Sequence, residues 1–125
     1  MARILLVDDD DDIRTTVSAA LAAAGHEMGE ARNGRHALQL LAQGPLPSLI
    51  ILDILMPIMD GFEFLDLMSH DPRISDIPVL AITAHARLAS IPQVVSVLRK
   101  PFDLQRLLAT VTSIGSLAGP ATAPR

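Results

Sequence analysis

The stretch LIILDILMPIMDG, residues 49–61, decides how the rest of the chain is read. Leu49 to Leu52 are apolar without a break, the pattern of a strand buried on both faces of a parallel sheet. Asp53 follows at once, where such a strand reaches the carboxyl edge of its sheet. In open α/β sheets that edge is where ligands bind. A lone strand-end Asp could equally begin a turn, because its side chain bonds nearby backbone N–H groups. Here a Met-Pro loop and an Asp-Gly turn follow, and other strand ends carry polar groups too. Asp53 therefore reads as a placed reactive carboxylate.

Outward from this strand, the chain alternates. Residues 3–7 (RILLV) read as a strand running into Asp8-Asp9-Asp10-Asp11-Asp12. A helix from about Asp11 to Ala24 follows, with Ile13, Val17 and Leu21 as its buried stripe and Gly25 as its C-terminal cap. The acids suit its positive N-terminal end. His26 to Ala31 is a weaker strand, loosened by Gly29. A second helix spans about Arg35 to Ala42, with Ala37, Leu38 and Leu41 inward, and stops at Gly44-Pro45-Leu46-Pro47. After the central strand comes a helix from about Gly61 to Ser69 carrying Phe62, Leu65 and Met68. Val79 to Thr83 is a fourth strand and Val94 to Leu98 a fifth. Between them Ala84 to Ala89 has room for a turn or two of helix, which Pro92 would end. Asp103 to Ile114 makes a last helix with Leu104, Leu107, Leu108 and Val111 inward. Residues 115–125 are rich in Gly, Pro, Ala and Ser/Thr and predict a flexible tail or linker.

Strand-helix alternation implies a doubly wound α/β fold, a parallel sheet with helices on both faces. Five such units in 125 residues suggest the flavodoxin-like (βα)5 order 2-1-3-4-5, with a shortened or irregular fourth helix. The length fits one domain with its own core. Half the residues are hydrophobic, yet no apolar run approaches a membrane span, so membrane insertion is not expected. No signal peptide is visible, and the lack of Cys fits a reducing interior, which together predict a cytoplasmic protein. A net charge of −4 without a basic stripe argues against direct nucleic-acid binding by this domain.

The proposed strand order also gathers chemistry. Strands one and three become neighbours, so Asp8, Asp9 and Asp53 would share a pocket at the carboxyl edge. Two carboxylates about 4 Å apart repel by roughly 4 kcal/mol at an effective dielectric of 20. They stay ionised together only with positive charge between them. An all-oxygen, acid-rich site is hard, and Mg²⁺ is its natural occupant. Asp11 and Asp12 read instead as a solvated helix start. Thr83 and Lys100 end strands four and five at the same edge, and Lys100 is the sole lysine among ten basic residues. A compact ammonium suits a point contact with phosphate or carboxylate.

With these residues in place, the chain resembles the receiver domains of two-component response regulators. The resemblance covers residues 3 to about 114. It rests on Val7-Asp8-Asp9-Asp10 with Ile13-Arg14, on Asp53-Ile54-Leu55-Met56-Pro57 with Asp60-Gly61, on Ile82-Thr83-Ala84 and on Lys100-Pro101-Phe102. It implies that Asp53 accepts a phosphoryl group from a sensor histidine kinase or His-phosphotransfer protein and switches binding of a downstream effector protein. Asp9, Asp53 and the Leu55 backbone carbonyl would ligate Mg²⁺ directly, and Asp8 through water. Thr83 and Lys100 would contact the phosphoryl oxygens, and a cis Lys100-Pro101 bond is expected. The implied activity is not that of a conventional enzyme: the domain phosphorylates itself from a donor and slowly dephosphorylates itself. Residues 1–114 would be the receiver domain, either standing alone or cut from a longer protein.

Two departures from that family bear on output. Val97 stands where an aromatic residue is usual, three residues before the lysine, and the segment from Thr83 to Lys100 is short. Both point to phosphorylation being read through residues 84–93. Leu55 and His85 would flank the path of the hydrolytic water. Two other readings compete: a phosphatase of the haloacid-dehalogenase type, for which a cap domain has little room, and a receiver-fold interaction module signalling without phosphorylation.

Overall fold

Side chains alternate across a strand, and that alternation sorts this chain into two cores. The computed structural model describes residues 2–84 and 91–122, with side chains as far as Ile114. In chain order the elements are β1 (Arg3–Val7), α1 (Asp11–Ala23), β2 (Glu27–Ala31), α2 (Gly34–Gln43) and β3 (Leu49–Asp53). They continue as α3 (Gly61–Ser69), β4 (Val79–Thr83), β5 (Val94–Arg99) and α4 (Leu104–Thr122). All strands pair in parallel in the order β2-β1-β3-β4-β5, the expected one. Ile4 and Leu6 of β1 with Leu49 and Ile51 of β3 face one side, where Val17 and Leu21 of α1 and Leu107 and Val111 of α4 cover them. Leu5, Val7, Ile50 and Leu52 face the other, against Ala37 and Leu41 of α2 and Phe64, Leu65 and Met68 of α3. Because both faces are covered, β3 is buried at every residue, and its unbroken apolar run follows from that.

Several boundaries differ from expectation, each for a local reason. Asp10 caps α1, its Oδ1 accepting from the backbone N–H groups of Asp12 and Ile13 at 2.9 and 3.1 Å. The helix closes with Gly25 at φ 100° and the His26 N–H reaching back to the Leu21 carbonyl at 3.1 Å. β2 begins at Glu27, while His26 Nδ1 accepts from the Ala2 N–H at 3.1 Å. On α3 it is Phe64, not Phe62, that enters the core; Phe62 is 49 % exposed. Phe64, Leu65 and Met68 form the i, i+1, i+4 stripe that faces the sheet, and Phe62 falls outside it. The last helix passes its expected end at Ile114 and runs to Thr122, into the stretch expected to be a flexible tail. Once a helix is seated, each added residue other than proline brings a hydrogen bond, so even Gly115 can continue it. The expected short helix after Ala84 lies outside the described residues, as does His85.

Candidate phosphoacceptor and metal site

Register places the site. Val7 pairs with Leu52, so the residue that follows β1, Asp8, lies beside the end of β3, Asp53. Asp53 pairs with Ile82 and Thr83 with Arg99, so Thr83 and Lys100 complete the same edge. The Lys100 N–H donates to the Thr83 carbonyl at 2.9 Å, tying the last two strand ends together. The Lys100-Pro101 peptide is cis, as expected.

Carboxylate oxygens of Asp8, Asp9 and Asp53 lie within 4.8 Å of one another. Asp8 and Asp53 are buried, and Asp9 is exposed at the rim. Lys100 Nζ stands 3.2 Å from Asp53 Oδ2 and 3.7 Å from Asp8 Oδ2. Burial, and then the neighbouring Asp8 carboxylate, push the Asp53 carboxyl up to about 6 despite Lys100. Burial also raises Asp8, against the Asp10 N–H that its Oδ1 accepts at 2.9 Å. Burial disfavours the Lys100 cation, but Asp8 and Asp53 outweigh it and the net displacement is upward. One ammonium thus faces more carboxylate charge than it can neutralise.

The donor set fits a hard cation. Asp8 Oδ2 is fully buried and has no hydrogen-bond partner, only the Lys100 ammonium at 3.7 Å, which leaves it lone-pair capacity for a further cation. Leu55 lies in the loop after Asp53 with its side chain 57 % exposed. No backbone N–H among the described residues donates to its carbonyl. Thr83 is buried at the end of β4, where its position was expected. Each of the expected site residues therefore lies at or beside one sheet edge.

The sequence reading did not find three supporting devices. Asp60 and Glu63 form a capping box at the start of α3, with the Glu63 N–H donating to Asp60 Oδ1 at 2.9 Å. Gly61 lets that helix begin against the acid loop: a Cβ there would stand 2.7 Å from Ile54 Cα. Arg14 reaches back from α1, its Nη1 donating to the Asp8 carbonyl at 2.7 Å. The Asp60-Gly61 pair hinted at the first two, while Arg14 stands in the Ile13-Arg14 motif with no role read for it.

A parallel five-stranded sheet with an acid cluster, a hydroxyl and a lysine at its carboxyl edge defines a class of phosphoryl-accepting signalling domains. The family described as response regulator receiver domain matches residues 4–112, and this chain belongs to it. It is 38 % identical over 119 residues to the DNA-binding dual master transcriptional regulator RpaA of Synechocystis, covering 91 % of this chain and 49 % of that protein. Protein PilH of Pseudomonas aeruginosa is 32 % identical over 124 residues, which cover 95 % of this chain and 100 % of PilH. The chemotaxis response regulator CheY4 of Vibrio cholerae superposes with a TM-score of 0.80 at 34 % identity, over 91 % of this chain and 98 % of that one. The chain spans half or less of the first curated relatives it matches. Membership of this family displaces the phosphatase reading. Phosphoacceptance is the family's standard role, and its members bind Mg²⁺ at an acidic pocket. Among the described residues, no helix is long and apolar enough to cross a membrane.

Proposed function

We propose that Asp53 is the phosphoacceptor, taking a phosphoryl group from a sensor histidine kinase or His-phosphotransfer protein in a Mg²⁺-dependent reaction in the cytoplasm. The observation that carries this reading is the Asp53 carboxylate itself, buried at a strand end, 3.2 Å from Lys100 and clustered with Asp8 and Asp9. An Asp53 oxygen forms the new O–P bond as the bond from phosphorus to the donor's imidazole nitrogen breaks, and the leaving group keeps the electron pair. Asp8, Asp9, Asp53 and the Leu55 carbonyl would hold Mg²⁺, Asp8 through water. The ion, when bound, supplies positive charge that lets these carboxylates ionise together and offsets charge on the phosphoryl oxygens. Lys100 adds an ammonium 3.2 Å from the nucleophile, and the Thr83 hydroxyl offers a donor to a phosphoryl oxygen. The changed edge then alters binding of a downstream effector protein.

Intact-mass spectrometry after incubation with Mg²⁺ and acetyl phosphate tests the reading. One phosphoryl adduct is expected, absent in Asp53→Asn, slowed severely in Asp9→Ala and blocked by chelation. An adduct that persists in Asp53→Asn, or that forms equally well with a chelator, overturns it. A chain that takes up no phosphoryl group but still binds an effector would instead be an interaction module.

A further inference from the structure

We infer that Arg14 is a positioning residue for the acid pocket: it sets the Asp8-Asp9 peptide and thereby aims the Asp9 carboxylate. The inference rests on the Mg²⁺ reading of that pocket. Arg14 projects from the first turns of α1 with its side chain only 16 % exposed. Nη1 donates to the Asp8 carbonyl at 2.7 Å, a charge-assisted bond. The same guanidinium pairs with Asp11 and lies 3.6 Å, at Nε, from Glu30 Oε1 on β2. It therefore braces the β1–α1 turn against the neighbouring strand.

Besides its ion pair with Lys100, Asp8 is held by two further hydrogen bonds. Its N–H donates to the Ala31 carbonyl at 3.1 Å, and its Oδ1 accepts from the Asp10 N–H at 2.9 Å. Among the described residues, no backbone N–H reaches its carbonyl, so Arg14 holds that oxygen in place of the sheet ladder. A peptide unit is planar, so fixing the Asp8 carbonyl fixes the plane in which the Asp9 N–H lies and the direction in which Asp9 leaves it. Asp9 is exposed and owes its place in the cluster to its backbone. Asp8 needs Arg14 less, because burial and the Asp10 bond already hold its side chain. Arg14 itself touches no carboxylate of the cluster. It acts through the chain, as outer partners of metal ligands do.

Calorimetric titration of the whole chain with MgCl₂ tests this, with no phosphodonor present. Arg14→Gln should weaken Mg²⁺ binding by roughly tenfold or more. Arg14→Lys should recover part of the loss, since an ammonium can still reach one carbonyl but cannot also brace Glu30. Arg73→Gln is the control: Arg73 Nη1 makes the same kind of bond, 2.7 Å to the Leu41 carbonyl, far from the pocket in the fold. It should cost stability and leave Mg²⁺ affinity unchanged. Should Arg14→Gln fail to fold, Glu30→Gln keeps the test alive, because it loosens the brace without touching the turn; a smaller weakening is expected. Unchanged Mg²⁺ affinity in folded Arg14→Gln, or in Glu30→Gln if the first variant is unfolded, overturns the inference. So does an equal loss in Arg73→Gln. Failure of the parent chain to bind Mg²⁺ at all overturns the pocket reading, a distinct result.

Discussion

Asp53 is a carboxylate held where burial makes it harder to ionise than in water. Burial and then Asp8 lift it from an ordinary 3.8 to about 6. A raised carboxyl favours the folded state below the unfolded value, and that contribution is lost as pH climbs through the folded one. In a chelator, stability should therefore fall between about pH 4 and pH 6 on account of this group. Asp53→Asn removes the burden, so at pH 7.5 without Mg²⁺ the variant should exceed its parent by up to about 3 kcal/mol. Near pH 4 the two should converge. Urea unfolding at both pH values measures the gap, and saturating Mg²⁺ should stabilise the parent much more than the variant. Equal stability of the two in chelator at pH 7.5 would mean that Asp53 is not strained. Leu55 is expected to bear on a different property. Its exposed side chain offers no hydrogen bond to orient a hydrolytic water, so the phosphoaspartate should be long-lived. Leu55→Asn should change the decay rate with little effect on Mg²⁺ affinity, and a decay rate indifferent to the substitution would remove Leu55 from that role.

Elements bring these residues into place, and their junctions are the exacting parts. Gly61 starts α3 with its N–H donating to the Ile54 carbonyl at 2.7 Å. A methyl there meets the backbone of Ile54 at 2.7 Å and the Asp53 carbonyl at 3.2 Å, atoms that cannot swing aside. Gly61→Ala should cost about 1–3 kcal/mol in urea unfolding and slow phosphorylation, because the residue displaced adjoins Asp53. Asp60→Ala, which removes the cap but leaves this contact, should cost about 1 kcal/mol and spare the phosphorylation rate. β1 and β3 were legible because unbroken Ile, Leu and Val runs end at Asp8 and Asp53, whereas β2, EMGEA, has no such run and reads as a weaker strand. The phase of α3 was not legible. Phe62, Phe64, Leu65, Leu67 and Met68 put apolar groups on most of a nine-residue helix, so its pattern alone does not say which face turns inward. The Arg14 brace escaped for a related reason: it spans a turn whose path depends on the sheet.

At the scale of the whole molecule, the site was legible because topology, not local sequence, joins distant strand ends. Five strands in this order can meet at one edge only with Asp8, Asp53, Thr83 and Lys100 side by side. Output is another matter, since it depends on how that edge couples to the rest of the sheet. Val97 pairs with Ala81 and packs half-buried against the core on the α2–α3 face. A β-branched side chain with one stiff torsion does not swing between inside and outside as a ring can. A backbone bond at 2.9 Å links Thr83 and Lys100, with the Ile54 N–H bonded to the Ile82 carbonyl at 3.1 Å beside it. Binding of beryllofluoride, a phosphoryl mimic, should therefore protect the Ile54 and Lys100 amides from hydrogen exchange. The Ile50 and Val79 amides, bonded to Pro78 and Gln93 at the opposite edge, should change less. Val97→Ala should cost about 1 kcal/mol for its lost methyl contacts yet keep that pattern of protection. Were Val97→Ala to abolish the change at Lys100 while the mimic still bound, the side chain would be the lever after all. Uniform protection across both edges would instead point to simple stabilisation by ligand, with no directed coupling.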